Sequence, residues 1–148
     1  MNEELSLEDH REAFAEVAFL LDLFAVTVTD LMGGATASVG RIAGRDMARK
    51  IPILLTDPTP ETVLEALTKH LIRGFELRPT VADDGADVTF GRCAIRECCQ
   101  LRRLELGGAM CTLFHYYLDG VVNELLRRPT KSSIVETGDT CRIHLRIR

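Results

Sequence analysis

From Phe75 onward the spacing of apolar residues changes from three-and-four to two, changes back between Leu104 and Arg128, and returns to two at the end of the chain. Helical and extended periods put side chains on different faces, so a segment written in one period does not settle in the other. FELRPTV and ADVTFGRC are two short strand-like runs joined by Asp83-Asp84-Gly85, where the glycine supplies the positive φ of a hairpin turn. Pro79 cannot donate to a ladder and restricts the first run to a sheet edge or a short length. Val88 and Phe90 then point to one face, Asp87 and Thr89 to the other. Lys131 to Glu136 and Thr140 to Arg148 form a second pair, turned by Thr137-Gly138-Asp139. In its last strand Cys141, Ile143, Leu145 and Ile147 share the inward face, and Arg142, His144, Arg146 and Arg148 share the other. Two hairpins with a long helix between them, preceded by helices, define an α+β fold: a four-stranded antiparallel sheet covered on one face.

The helices carry their own punctuation. Ser6 is an N-cap three residues before Asp9, and the helix it opens runs to about Met32, where Gly33-Gly34 stops it. Phe14, Val17, Leu21, Phe24, Val28 and Leu31 form a continuous apolar stripe, with Phe19, Leu20 and Leu23 off it. A helix apolar on more than one side lies deep in the core or serves a second chain, and a homodimer is the simpler expectation. In ATASVGRIAGRDMARKI a second helix sets Val39, Ile42, Ala43, Met47 and Ile51 on one face, and Gly40 and Gly44 let a neighbour approach closely; Pro52 ends it. Thr59 before Pro60 begins a third helix that closes at Gly74, with Val63, Leu64, Leu67 and Leu71 toward the core and His70 beside that face.

At 148 residues the chain is the size of one domain, able to bury roughly two thirds of its unfolded surface. Residues 1–148 are read as a single unit, with 1–33 as the dimerising helix and 36–148 as the ligand-binding core. Asp22 and Asp30 interrupt the longest apolar run, so no membrane span is expected. The acidic start MNEELSLEDHRE is unlike a secretory signal and points to the cytoplasm. A formal net charge of −4 argues against direct nucleic-acid binding.

The chemistry-bearing residues gather late. All five cysteines lie between Cys93 and Cys141, an odd count that suits metal ligands, redox thiols or buried apolar groups better than a disulfide framework. Cys111 and His115, four apart on a helix, share a face, and inward-facing Cys141 could meet them there. Cys98, Cys99, Cys111 and Cys141 are the candidate metal ligands; zinc suits such a set, with an iron–sulfur cluster or haem as alternatives. Vicinal Cys98-Cys99 near Arg96, Arg102 and Arg103 could instead be redox thiols whose pKa a positive field lowers. Catalytic patterns are thin: the chain has no nucleophile elbow, no H-E-x-x-H and no phosphate-binding loop.

CAIRECC, GAMCTLFHYYLDGVVNELLRRP and SSIVETGDTCRIHLRIR together resemble the 4-vinyl reductase family, also called the hydrocarbon-binding domain. Cys111 and Gly120 match its helix spacing, Gly138-Asp139 and Cys141 match its closing hairpin, and GRIAGRDMARK resembles its earlier Gly-bearing helix; the likeness spans about residues 36 to 147. The resemblance implies a commonly dimeric α+β fold whose interior pocket takes a small apolar or aromatic ligand. Zinc-holding relatives use the helix cysteine, a Glu and a Cys before the turn, and the final Cys. Carried over, Cys111 and Cys141 match, while Ser133 or Ile134 stands near the middle Cys and Thr130 or Lys131 near the Glu. Cys98, Cys99, His115 or Glu136 would have to complete that set.

The function expected is a small-molecule or metal-binding sensor module, its pocket lined by Phe90, Leu113, Phe114, His115, Tyr117 and Ile143. A tetrapyrrole-type reductase, a thiol redox sensor and an architectural adaptor are the rivals; the first would need an electron source for which the chain has no dinucleotide fingerprint.

Overall fold

The structure, a computed structural model, describes residues 4–148; Met1 to Glu3, part of the expected dimerising segment, lie outside the described residues. Helix α1 spans Leu7–Met32 and is held at its start by a reciprocal capping box between Ser6 and Asp9, whose carboxylate pKa the Ser6 hydrogen bonds lower. Gly33, at φ 50°, ends it; a single 3-10 turn leads into α2, Thr36–Lys50. Helix α3, Pro60–Leu71, starts with Thr59 and Pro60 as expected and leaves His70 on the surface.

Strands β1 (Phe75–Ala82) and β2 (Gly85–Cys93) form the first hairpin, β3 (Thr130–Glu136) and β4 (Cys141–Ile147) the second. The hairpins join through β2 and β4 into one antiparallel sheet of order β1-β2-β4-β3, so Pro79 lies on an edge strand. Val88 and Phe90 of β2 and Ile143, Leu145 and Ile147 of β4 are buried, sharing one core with Val63, Leu64 and Leu67 of α3.

Between the hairpins the chain makes two helices rather than one. Cys98 and Cys99 belong to α4, Ala94–Leu101; a loop through Gly107 (φ 84°) follows; α5 runs from Ala109 to Leu126. Leu104 and Leu106, expected inside the long helix, therefore lie before it. Leu118, Val121, Val122 and Leu126 of α5 complete the main core.

Helices α1 and α2 bury faces other than those their large apolar residues mark. On α1 the fully covered residues are Ala18 and Ala25, while Val17, Leu21, Phe24 and Leu31 are exposed, Phe24 to 65% and Leu31 to 78%. On α2 the buried residues are Thr36, Gly40, Gly44 and Ala48, while Ile42 and Met47 are exposed. Both helices press their small side chains against neighbours. A Cβ on Gly40 would stand 2.6 Å from Cβ of Tyr116, one on Gly44 would run into the Tyr117 carbonyl, and one on Gly120 into the Arg41 carbonyl. Helices α2 and α5 thus meet backbone to backbone, a fit open only to residues without side chains.

Candidate functional site

Helix α5 has a cavity on each side. Toward the sheet lies a chamber of about 40 Å³, walled by Phe90, Cys93, Leu118, Ile134, Cys141 and Ile143, with Arg96, Cys111, His115 and Glu136 also reaching it. Toward α1 and α2 lies an apolar groove of about 320 Å³, formed by Leu21, Ala25, Val39, Ala43, Met110 and Leu113. Ile95, Phe114 and the helix itself separate the two, since both residues line both cavities. Of the residues expected to form one pocket, Phe90, Phe114, His115 and Ile143 surround the chamber, whereas Leu113 and Tyr117 face the groove with Phe114.

Phe114 is held by aromatic neighbours. Its ring stacks on Phe75 at 4.7 Å, meets Phe90 edge-on at 6.2 Å and lies 6.1 Å from Tyr117. Such contacts fix orientation as well as fill space.

His115 is the chamber's titratable ring. Its Nδ1 lies 2.7 Å from the Ser132 hydroxyl, which fixes the plane of the imidazole. Burial pushes its pKa below the ordinary 6.5, helped by Arg41 and opposed by Asp119. The ring is therefore neutral at pH 7 and can either donate or accept one hydrogen bond.

One turn on, Asp119 is completely buried, a residue that pattern reading did not single out. Its Oδ2 pairs with Arg41 Nη2 of α2 at 3.3 Å, and its Oδ1 has no hydrogen-bond partner among the described residues. Burial raises its pKa; Ser132, His115 and Arg41 pull it back. Arg41 also lies over the Tyr116 ring at 5.1 Å. The available sign was a lone acid in the apolar run YYLDGVV.

The cysteines divide into two neighbourhoods. Cys98 and Cys99 are buried with Ala18, Ala25 and Met110, and Cys111 packs against that cluster with its thiol facing Cys99. Cys141 packs on the main core and accepts a weak contact from Arg96 Nη1 at 3.9 Å. Cys111 and His115 do share a face and both reach the chamber, as does Cys141. Among the described residues, however, no three His, Cys, Asp or Glu side chains converge as a group able to hold a metal ion. Cys98 and Cys99 lie in a different cluster from Cys141, so the four cysteines expected to form one zinc or iron–sulfur centre do not gather at one point.

Burial, and not the arginines expected to activate them, governs Cys98 and Cys99. Desolvation raises the pKa of both, and for Cys99, where Cys111 adds to the effect, to about 12. A thiol in that state is a poor nucleophile. Native protein treated briefly with iodoacetamide should carry label on Cys111 and Cys141, which are half-buried, and none on Cys98 or Cys99 by peptide mass spectrometry; early label on the vicinal pair would contradict their burial.

The fold and its two cavities define an α+β domain in which a sheet and a cover of helices enclose apolar space around one helix. Among solved structures, that of the phenol-responsive sensory domain of the transcription activator PoxR with phenol is similar, with a TM-score of 0.59 over 90% of this chain and 74% of that one. At 14% identity the likeness is one of fold. No family model matches the sequence, and no curated protein matches it. No helix among the described residues is long and apolar enough to cross a membrane.

Proposed function

We propose that this chain is a sensor module of the 4-vinyl reductase-like type, its single domain binding a small aromatic or apolar molecule between α5 and the sheet. The observation that carries the proposal is the apolar chamber with one oriented, neutral histidine, a lining suited to a ring bearing a single polar substituent. The fold shared with a phenol-responsive domain supports it.

At about 40 Å³ the chamber is smaller than a ligand of that kind needs. Space lies behind its wall: if Phe114 and Ile95 move toward the groove of about 320 Å³, the chamber opens. Binding would thereby press on α1 and α2, which gives the occupied state a route to the surface. With phenol, cresols and naphthol as probes, at a concentration one hundred times Kd, stability should rise by about 2.7 kcal/mol. Thermal melts read this as a Tm increase of several degrees, and Ile143→Trp, which fills the chamber, should abolish it. No shift with any ring, or an unchanged shift in Ile143→Trp, would refute the site.

The output partner proposed is a second copy of this chain. Helix α1 exposes Leu20, Leu23, Phe24 and Leu31 along with other large apolar residues, more than an unpartnered helix usually leaves in water. Light scattering should give twice the chain mass for the native protein and the single mass for Leu20→Lys/Phe24→Lys. A native monomer at micromolar concentration would remove this part of the proposal.

A further inference from the structure

We infer that the outer face of the sheet, at its β3–β4 edge, is a binding site for a phosphate group, separate from the chamber. A pocket of about 230 Å³ there is lined by Lys131, Ser133, His144, Arg146 and Arg148. Lys131 stands directly opposite Arg146 in the antiparallel register. Like charges so placed repel each other and weaken the strand pair.

Among the described residues, none forms an ion pair that offsets that repulsion. Lys131, Arg146 and Arg148 each lack a carboxylate partner, whereas Arg142 on the same face pairs with Glu136 at 3.8 Å. His144 is held by Asp87 at 2.9 Å and Asp84 at 3.6 Å. One half of the outer face of β4 is therefore neutralised within the fold and the other half is not. Arg127 and Arg128 close by have a different explanation, because they follow the C-terminal end of α5, where the helix dipole favours cations. No helix end accounts for the other three.

The ligand chemistry follows from the donors. Two arginines, a lysine and Ser133 lining one concavity suit a compact oxyanion carrying two or more charges, as on a phosphate monoester or a diphosphate. Ser132, which also lines the pocket, bonds to His115 on the other side of β3, whereas Lys131, Arg146 and Arg148 do not line the chamber. Phosphate binding can thus succeed or fail whatever the chamber does.

Titration of isotope-labelled protein with pyrophosphate at low ionic strength tests the site. Saturable amide shifts should concentrate at Lys131–Ser133 and Arg146–Arg148, inorganic phosphate should bind more weakly, and ATP should bind through the same residues. Lys131→Gln/Arg146→Gln should weaken pyrophosphate about tenfold or more. Its Tm should stay level or rise, because the opposed charges are gone. Absence of saturable shifts into the millimolar range, unchanged affinity in the double variant, or a lowered Tm marking the cations as structural would each overturn the inference. Tighter saturable binding of duplex DNA than of pyrophosphate would do so too.

Discussion

Gly44→Ala and Gly120→Ala are each expected to destabilise the fold by at least about 3 kcal/mol, even after the roughly 1 kcal/mol that alanine gains over glycine within a helix. The methyl group at either position meets a carbonyl of the facing helix, Tyr117 for one and Arg41 for the other, and backbone cannot rotate aside as a side chain can. The helices would have to separate, and every contact along α2 and α5 would loosen with them. Gly40→Ala should cost less, since its methyl comes to 2.6 Å of its nearest neighbour, Cβ of Tyr116, whereas those at Gly44 and Gly120 come closer still to the carbonyl oxygens. Gly34→Ala is the control: nothing lies within 4 Å of its new methyl, and its effect should stay within about 0.5 kcal/mol. Urea denaturation midpoints read all four. Native-like stability of Gly44→Ala would mean that the two helices are not in backbone contact.

Arg41→Ala should cost about 3 kcal/mol at pH 7, the lower end for breaking a buried ion pair, because Arg41 is itself about a quarter exposed. The loss comes from what remains: Asp119, with no exposure, must either hold a charge without a cation beside it or take up a proton. The pH dependence follows from the direction of its shift. Because burial holds the Asp119 pKa above its ordinary 3.8, the folded state binds that proton more tightly than the unfolded state does. Its contribution to stability is greatest in acid and is lost as pH rises through the raised pKa. Removing Arg41 takes away one of the influences that lower this pKa, so the loss extends to higher pH and the defect should be smaller at pH 5 than at pH 7. Asp119→Asn in the Arg41→Ala background should restore part of the stability. Additive effects of the two substitutions would show that they do not interact.

Much of the architecture could be read from local chemistry. The Ser6 capping box, the Thr59-Pro60 helix start, the glycine of the Asp83-Asp84-Gly85 turn and the alternation of Cys141 to Ile147 each fix geometry within a few residues, and each appears in place. The close approach at Gly40 and Gly44 could be read from their spacing, but the burial of Ala18 and Ala25 on α1 could not, because apolar size is a guide to burial only where large side chains meet. At Gly40, Gly44, Ala18 and Ala25 the contact is close, and the larger neighbours are turned outward. The break between α4 and α5 had its mark in Gly107-Gly108, which a continuous apolar spacing masked.

The geometry of the candidate site was legible in part for the same reason. Phe90, His115 and Ile143 follow from strand alternation and helix spacing, and they do surround one chamber. Phe114 and Tyr117, three apart on α5, were assigned to one pocket, but the helix carries Phe114 to both cavities and Tyr117 only to the groove. The thiols depended on long-range placement, which spacing does not encode: α4 buries Cys98 and Cys99 under α1, away from the sheet that carries Cys141.

Intermolecular NOEs from a bound, protonated phenol to selectively labelled methyl groups test the sensor proposal most directly. Ring protons in the chamber should give cross-peaks to Leu118, Ile134 and Ile143, with a chemical-shift change at His115 from the ligand hydroxyl. Cross-peaks confined to Leu21, Val39 and Leu113 would place the ligand in the groove instead, and no cross-peaks at saturating phenol would remove the chamber as its binding site.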